Sequence, residues 1–280
     1  MKILVLGKNG QLAQSLALTR PAGLDVTFLC SQQINFLEPE NWDDQFDCDF
    51  IINTCAYTDV EAAESEKEKA MQINCYALEQ LSRLCVQSKA HLLHISTDYV
   101  FDGKKSTPYS EKDSTAPLNV YAQTKLAGEN LLMSKNPNCT IVRTSWLYGP
   151  YGKNFYGTIQ RLAAEKESLN IISDQVGTPT SSLSLAKVLY QMILSGKTLD
   201  SLYHFSNDGV ASWYDFAYEI SKITQSHCQI NPIHSWQYPS KAKRPHYTVL
   251  NCQKIKSEFK LSSLHWKEAL DQVYQQGVKK

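Results

Sequence analysis

The hydrophobic residues of the first half of the chain come in short unbroken runs, separated by longer stretches in which apolar positions recur at helical spacing. Lys2–Leu6 is such a run, ended by Gly7, and reads as a buried strand. Gln11–Thr19 reads as a helix stopped near Pro21. Further strands are expected at residues 25–30, 49–54, 91–95 and 139–143. Residues 60–86, rich in Ala, Glu, Lys and Leu, read as one long or broken helix, and a long loop is expected over residues 96–118. A helix then carries Tyr121 and Lys125. Strands alternating with helices imply parallel βαβ units in a doubly wound sheet of the α/β, Rossmann-like class.

After Trp146 the texture changes. Aromatic, Gly and Pro residues interrupt the pattern, as in Trp146-Leu147-Tyr148-Gly149-Pro150-Tyr151-Gly152 and Gln175-Val176-Gly177-Thr178-Pro179-Thr180. Helices are expected at residues 183–194 and at Trp213–Ile223. Residues 1–145 are therefore expected to form a dinucleotide-binding domain. Residues 146–280 are expected to complete the sheet and to form a smaller substrate lobe.

Composition narrows the classes. The chain has 280 residues, 42% of them hydrophobic, enough for one large α/β domain or a main domain with a lobe. Lys+Arg and Asp+Glu number 28 each, so no nucleic-acid partner is expected. None of the eight cysteines forms a C-x-x-C pair, and several sit in apolar runs, which reads as buried thiols in a reducing compartment. The apolar run at the N-terminus is too short for a signal peptide, and no stretch approaches membrane-span length. The expectation is a cytoplasmic protein with no membrane partner.

Gly7-Lys8-Asn9-Gly10-Gln11-Leu12-Ala13 lies between a strand and a helix, where a dinucleotide pyrophosphate would meet free N–H groups and the helix dipole. Its spacing is G-x-x-G-x-x-A, and a plain strand–helix turn reads the same way. The second strand ends in Cys30-Ser31-Gln32 with no acid to hold a ribose 2′-hydroxyl, and Lys8 is placed to meet a 2′-phosphate. Both features lean towards NADPH, with NADH as the second choice, although Lys8 also reads as a solvated surface lysine. Small residues in Asn53-Thr54-Cys55-Ala56-Tyr57 would let a cofactor lie across the third strand, or simply pack tightly. Tyr121 and Lys125 share a helix face, and a cation beside a phenol lowers its pKa. Such a tyrosine can serve as a proton carrier. As an isolated spacing, Tyr-x-x-x-Lys is common on exposed helices.

Taken with Ser96-Thr97-Asp98-Tyr99-Val100-Phe101-Asp102-Gly103, Arg143-Thr144-Ser145-Trp146 and Lys243-Arg244-Pro245, these motifs resemble the extended short-chain dehydrogenases/reductases over nearly the whole chain. Within that family they resemble the branch that reduces dTDP-linked 4-keto-6-deoxyhexoses. The resemblance implies Tyr121 as general acid, Lys125 on the nicotinamide ribose and lowering the tyrosine pKa, and Thr97 bonding the substrate oxygen. It implies cofactor contacts from Gly7, Gly10, Gln11 and Leu12, from Ser31, Asn35 and Phe36, and from Cys55, Ala56, Tyr57, Tyr121 and Lys125. Substrate contacts are implied for Thr97, Asp98, Trp146 and Arg244. Simple core packing for Trp146 and a surface salt bridge for Arg244 remain alternatives. Tyr99 stands where related dehydratases carry a glutamate, which favours net reduction over elimination. Ser15 stands where some members carry a glutamate linked to a magnesium-bridged dimer, so no metal site is expected. A homodimer stays open. His91, His94 and His204 read as structural. The alternatives are a 4-epimerase, a reductase with a different deoxysugar product, or a non-catalytic subunit like the regulatory partner of methionine adenosyltransferase.

Overall fold

The first apolar run folds as β1 (Lys2–Leu6), with Ile3 and Val5 packed into one core cluster and Leu4 and Leu6 into another. A strand buried on both faces is what a parallel sheet covered by helices on each side requires. The computed structural model describes residues 1–42, 46–136 and 138–278. After β1 come α1 (Gln11–Thr19), β2 (Asp25–Leu29), β3 (Phe50–Asn53), α2 (Val60–Ala63), α3 (Lys67–Met71), α4 (Ala77–Ser88), β4 (His91–Thr97), α5 (Val120–Lys135) and β5 (Cys139–Thr144). The second half contributes β6 (Leu147–Tyr148), α6 (Phe155–Glu165), β7 (Ser168–Ile172), β8 (Val176–Gly177), β9 (Thr180–Ser181), α7 (Ser182–Leu194) and β10 (Leu202–His204). It closes with β11 (Ala211–Ser212), α8 (Trp213–Ile223), β12 (Gln229–Ile233), α9 (Gln253–Phe259) and α10 (Trp266–Val278).

Six parallel strands form the main sheet in the order β10-β5-β4-β3-β1-β2. The order reverses between β1 and β3. In open α/β sheets that switch point leaves a crevice at the C-terminal strand ends, where ligands bind. Helices α1 and α7 cover one face of the sheet, and α4 and α5 the other. A third core, built from α6, α8, α10, β7 and β12, stands beside the sheet.

Two elements differ from the sequence reading in ways that shape the site. β4 runs two residues beyond the expected 95, because its pairing with β5 continues to Thr97 opposite Thr144. The stretch over 60–86, expected as one long or broken helix, is broken at residues 64–66, and it carries an unforeseen π-helical turn at Gln72–Tyr76. That turn delivers the Asn74 side chain to the Tyr57 backbone and to Thr124 Oγ1. Helix α6 follows the Gly/Pro turn over residues 149–152; no helix was expected there, nor at α9 or α10.

Candidate active site

The ends of β4 and β5, the turns after β1 and β3, and the start of α5 enclose a cleft of about 530 Å3. Gly10, Gln11, Leu12 and Ala56 line it from the switch-point side. Thr97, Asp98, Tyr121, Lys125 and Trp146 line it from the other.

The glycine turn is shaped by close approach. Gly7 has φ of +97°, and a Cβ there would meet Thr54 Oγ1 at 2.7 Å and Cys55 Sγ at 3.1 Å. Only glycine tolerates both constraints. Gly10 caps α1 without a side-chain hydrogen bond, so no side chain competes for the first N–H groups of the helix.

The other sequence-predicted cofactor residues stand back from the cleft wall. Ser31 is exposed in the turn after β2, beside the exposed Lys8, whose N–H donates to Leu29 O at 2.9 Å. Asn35 accepts from the Leu37 N–H at 3.0 Å through Oδ1. Phe36 is a core residue, its ring 4.9 Å from that of Trp42. Cys55 donates its N–H to Asn53 Oδ1 at 3.0 Å, and the Tyr57 backbone is held on both sides by the Asn74 amide. Arg244, with its side chain 20% exposed, pairs with Glu61 at 2.6 Å and is not among the residues that line the cleft. Ser15 is buried and shares a 2.7 Å hydrogen bond with Ser182, tying α1 to α7.

Helix α5 is fixed at three levels. Asn119 caps it, accepting from the Ala122 N–H at 2.9 Å, while Glu64 accepts from the Val120 N–H at 2.9 Å. Gly128 lets the π-helical turn come so close that a Cβ would lie 2.1 Å from Asn74 O. Glu129, fully buried, takes a two-pronged grip from Arg143 on β5, at 3.0 and 2.6 Å. The orientation of Tyr121 and Lys125 follows from these contacts.

The electrostatics depart from the expectation of a lowered tyrosine. Burial pushes the Tyr121 phenol up to about 12, with Asp98 adding to the rise and the Thr97 hydroxyl opposing it. Lys125 Nζ donates to Ile95 O at 2.8 Å and stands 3.1 Å from His94 Nε2 on β4. Burial brings Lys125 down to about 8, against the pull of Glu129 and Cys55. The Asp98 carboxyl rises to about 7, again through burial, with the Thr248 and Thr97 hydroxyls countering. Thr97 Oγ1 donates to Asp98 Oδ1 at 3.2 Å.

Trp146 adopts a left-handed backbone at φ of +45°. Its indole stacks on Trp213, centroids 3.5 Å apart and planes 5° from parallel. A Cβ on Gly177 would meet that indole at 2.7 Å. Trp146 is thus half-buried at the cleft rather than sealed in the core.

Residues not singled out from the sequence also line the cleft, notably Ser96, Thr144, Lys153 and Asn154. Ser96 Oγ, Thr144 Oγ1 and Asp98 Oδ2 are buried with no hydrogen-bond partner among the described residues. Position beside Thr97 and at the end of the fifth strand was the available signal for Ser96 and Thr144. Lys153 and Asn154 follow a Gly-Pro-Tyr-Gly turn whose fold the sequence did not disclose. Among the described residues no group of His, Cys, Asp and Glu could hold a metal ion, and no helix is long and apolar enough to cross a membrane.

The switch-point glycine turn and the Tyr–x–x–x–Lys helix facing a threonine at a strand end define a class, the Rossmann-like oxidoreductases of short-chain dehydrogenase/reductase type. Residues 1–278 match the family described as RmlD substrate binding domain, and the chain belongs to that family. It is similar to the dTDP-4-dehydrorhamnose reductase of Aggregatibacter actinomycetemcomitans, 37% identical over 97% of this chain and 98% of the relative. The Escherichia coli K12 dTDP-4-dehydrorhamnose reductase is 37% identical over 95% of this chain and 94% of its own. Among solved structures, a dTDP-4-dehydrorhamnose reductase from Clostridium acetobutylicum superposes with a TM-score of 0.91 at 33% identity, covering 100% of both chains. The Bacillus anthracis enzyme of that name, in complex with NADP, gives 0.93 at 31% identity over 99% of this chain and 100% of its own.

Proposed function

We propose that this protein reduces the C4 ketone of dTDP-4-dehydro-L-rhamnose to the alcohol of dTDP-L-rhamnose, with NADPH as reductant and NADH as a poorer substitute. The observation that carries the reading is the meeting of Thr97, Tyr121 and Lys125 in one cleft at the sheet's switch point, in a chain similar to reductases of that name along nearly its whole length.

The residues present suit a dinucleotide. Gly7 lets the turn after β1 pack on the turn after β3, Gly10 leaves the N-terminus of α1 bare at the cleft, and buried hydroxyls of Ser96 and Thr144 face the cleft without partners among the described residues. NADPH, when bound, supplies the hydride to C4 of the sugar. The protein positions, polarises and provides the proton. Tyr121, kept neutral by burial, is the group that gives a proton to the C4 oxygen as negative charge develops there. The Thr97 hydroxyl bonds the same oxygen. Lys125 serves the ribose side of the cofactor and offers positive charge to the phenolate left on Tyr121. Gly7, Gly10, Gln11 and Leu12 hold the pyrophosphate, and Ser31, Asn35 and Phe36 with Cys55, Ala56 and Tyr57 frame the adenosine and central parts through backbone and small side chains. Asp98 accepts from a sugar hydroxyl and Trp146 offers its indole to the deoxysugar. Arg244, released from Glu61, reaches the nucleotide phosphates. Residues 1–145 carry the cofactor half and residues 146–280 the substrate lobe. The reading includes a homodimer, and a cytoplasmic setting that suits eight free cysteines.

The test is NADPH oxidation followed by absorbance with dTDP-4-dehydro-L-rhamnose. Wild type is expected to turn over, and Tyr121→Phe to lose about 10²–10⁴-fold in kcat, the usual worth of a positioned acid. NADPH affinity should change far less than kcat in the variant. A folded wild type that oxidises neither NADPH nor NADH would overturn the assignment.

A further inference from the structure

The loop between β6 and α6 lies against the N-terminus of α1, and it brings a cation that no step above uses. Gln11, the first residue of α1, is tied to this region twice: its amide donates to Leu147 O at 3.1 Å and accepts from Asn154 Nδ2 at 3.3 Å. Asn154 also holds the loop together. Its Nδ2 lies 3.0 Å from both Gly149 O and Tyr151 O, while its Oδ1 caps α6 by accepting from the Gly157 N–H at 3.0 Å. Gly152 turns at φ of +70°, so near α1 that a Cβ there would lie 3.6 Å from Gln11 Cβ. Lys153 stands between that turn and the cap. Its backbone is thus placed by its neighbours, and its own side chain takes no part in building the loop.

Lys153 lines the same cleft as Asn9, Gly10 and Gln11. Its side chain is exposed and pairs with no carboxylate among the described residues. The other cation in the lining, Lys125, is buried at the α5 side and already donates to Ile95 O. A pyrophosphate at the α1 N-terminus carries charge on both phosphates, and a helix end answers it with only about half an elementary charge. An ammonium on a four-carbon stem, held at the rim beside Gln11, supplies what the helix end lacks.

We propose that Lys153 binds the cofactor: its ammonium meets the pyrophosphate across the cleft from the N-terminus of α1, so that the dinucleotide is held from both halves of the chain. The proposal rests on the dinucleotide reading of the cleft, and its test separates the two.

That test needs no sugar turnover. NADPH fluorescence gives the Kd of the full-length protein for NADPH, and displacement of NADPH gives it for ADP-ribose, 2′-AMP and dTDP. Lys153→Gln is expected to bind NADPH about tenfold more weakly, the worth of one charge-assisted contact at an open site, and Lys153→Arg to recover most of that loss. The deficit should shrink as salt is raised, because an exposed ammonium is screened. ADP-ribose keeps the pyrophosphate but lacks the nicotinamide and the 2′-phosphate, and it should lose the same factor. 2′-AMP, which has no pyrophosphate, should lose none. A loss with 2′-AMP as large as with ADP-ribose would put the lysine at the 2′-phosphate, and a loss confined to dTDP would put it on the sugar nucleotide; either result overturns the proposal. A Lys153→Gln protein that melts like wild type and binds NADPH as tightly also overturns it, and leaves the dinucleotide reading standing. A folded wild type that binds no dinucleotide removes both.

Discussion

Asp98 carries a buried carboxylate oxygen with no partner, at the edge of the space a substrate would fill. Its folded pKa, about 7 against 3.8, is raised. Between those values the unfolded chain ionises and the folded one does not, so stability falls as pH rises from about 4 to 7 and stays low above. Asp98→Asn removes that cost. The variant is expected to match wild type near pH 4 and to be more stable at pH 8, by on the order of 4 kcal/mol, while its sugar KM rises. Thermal melts at the two pH values check the first half, and wild-type-like melts at both would contradict it. The residue types of this site were legible in the sequence because the Ser96–Gly103 block and the Tyr121–Lys125 spacing are local signals. The state of the lysine was not. A spacing of four puts two side chains on one face, but Lys125 is bonded to β4, and that contact belongs to the sheet rather than to the helix.

At the level of elements, α5 is where local and tertiary information part. Its presence and its Tyr121–Lys125 face were readable, but its seat was not. That seat depends on a π-helical turn within a stretch whose composition reads as plain helix, and on Gly128, whose missing side chain admits Asn74 O. Gly128→Ala is expected to cost about 1–3 kcal/mol, the range for overpacking a tight contact. Because Tyr121 rides on the same helix, kcat should fall more than the KM for NADPH. Urea unfolding and steady-state kinetics of the one variant test both parts, and a variant as stable and active as wild type would mean the two backbones can separate freely. The stretch over 60–86, expected as one long or broken helix, breaks at the residues that free Glu64 to cap α5.

Across the whole molecule, the apolar runs announced the doubly wound sheet because each central strand is buried on both faces. The second half was harder to read, since its core is made of aromatic contacts between short elements. The buried thiols give a global prediction. Cys139 is pushed up to about 12 by burial and Cys85 higher still, against 9.0. A raised folded pKa contributes stability that is complete below pH 9 and lost as pH climbs towards the folded value. At pH 10 each such thiol forfeits about 1.4 kcal/mol. Lys125, depressed to about 8, runs the opposite way and returns part of this. Between pH 9 and pH 10 the two thiols together lose about 2 kcal/mol and Lys125 returns about 1, so denaturant titrations at the two pH values are expected to show a net loss of about 1 kcal/mol. A flat profile would mean the thiols are not held neutral.

The Trp146–Trp213 stack has an evolutionary consequence. One indole follows the last residues of β5, and the other opens α8, which belongs to the lobe core. The proton donor is anchored elsewhere, by β5 and the π-helical turn. Drift in α8 can therefore re-aim the surface that greets the sugar while the acid stays in place, so new sugar preferences are open to descendants of this chain without rebuilding the reaction.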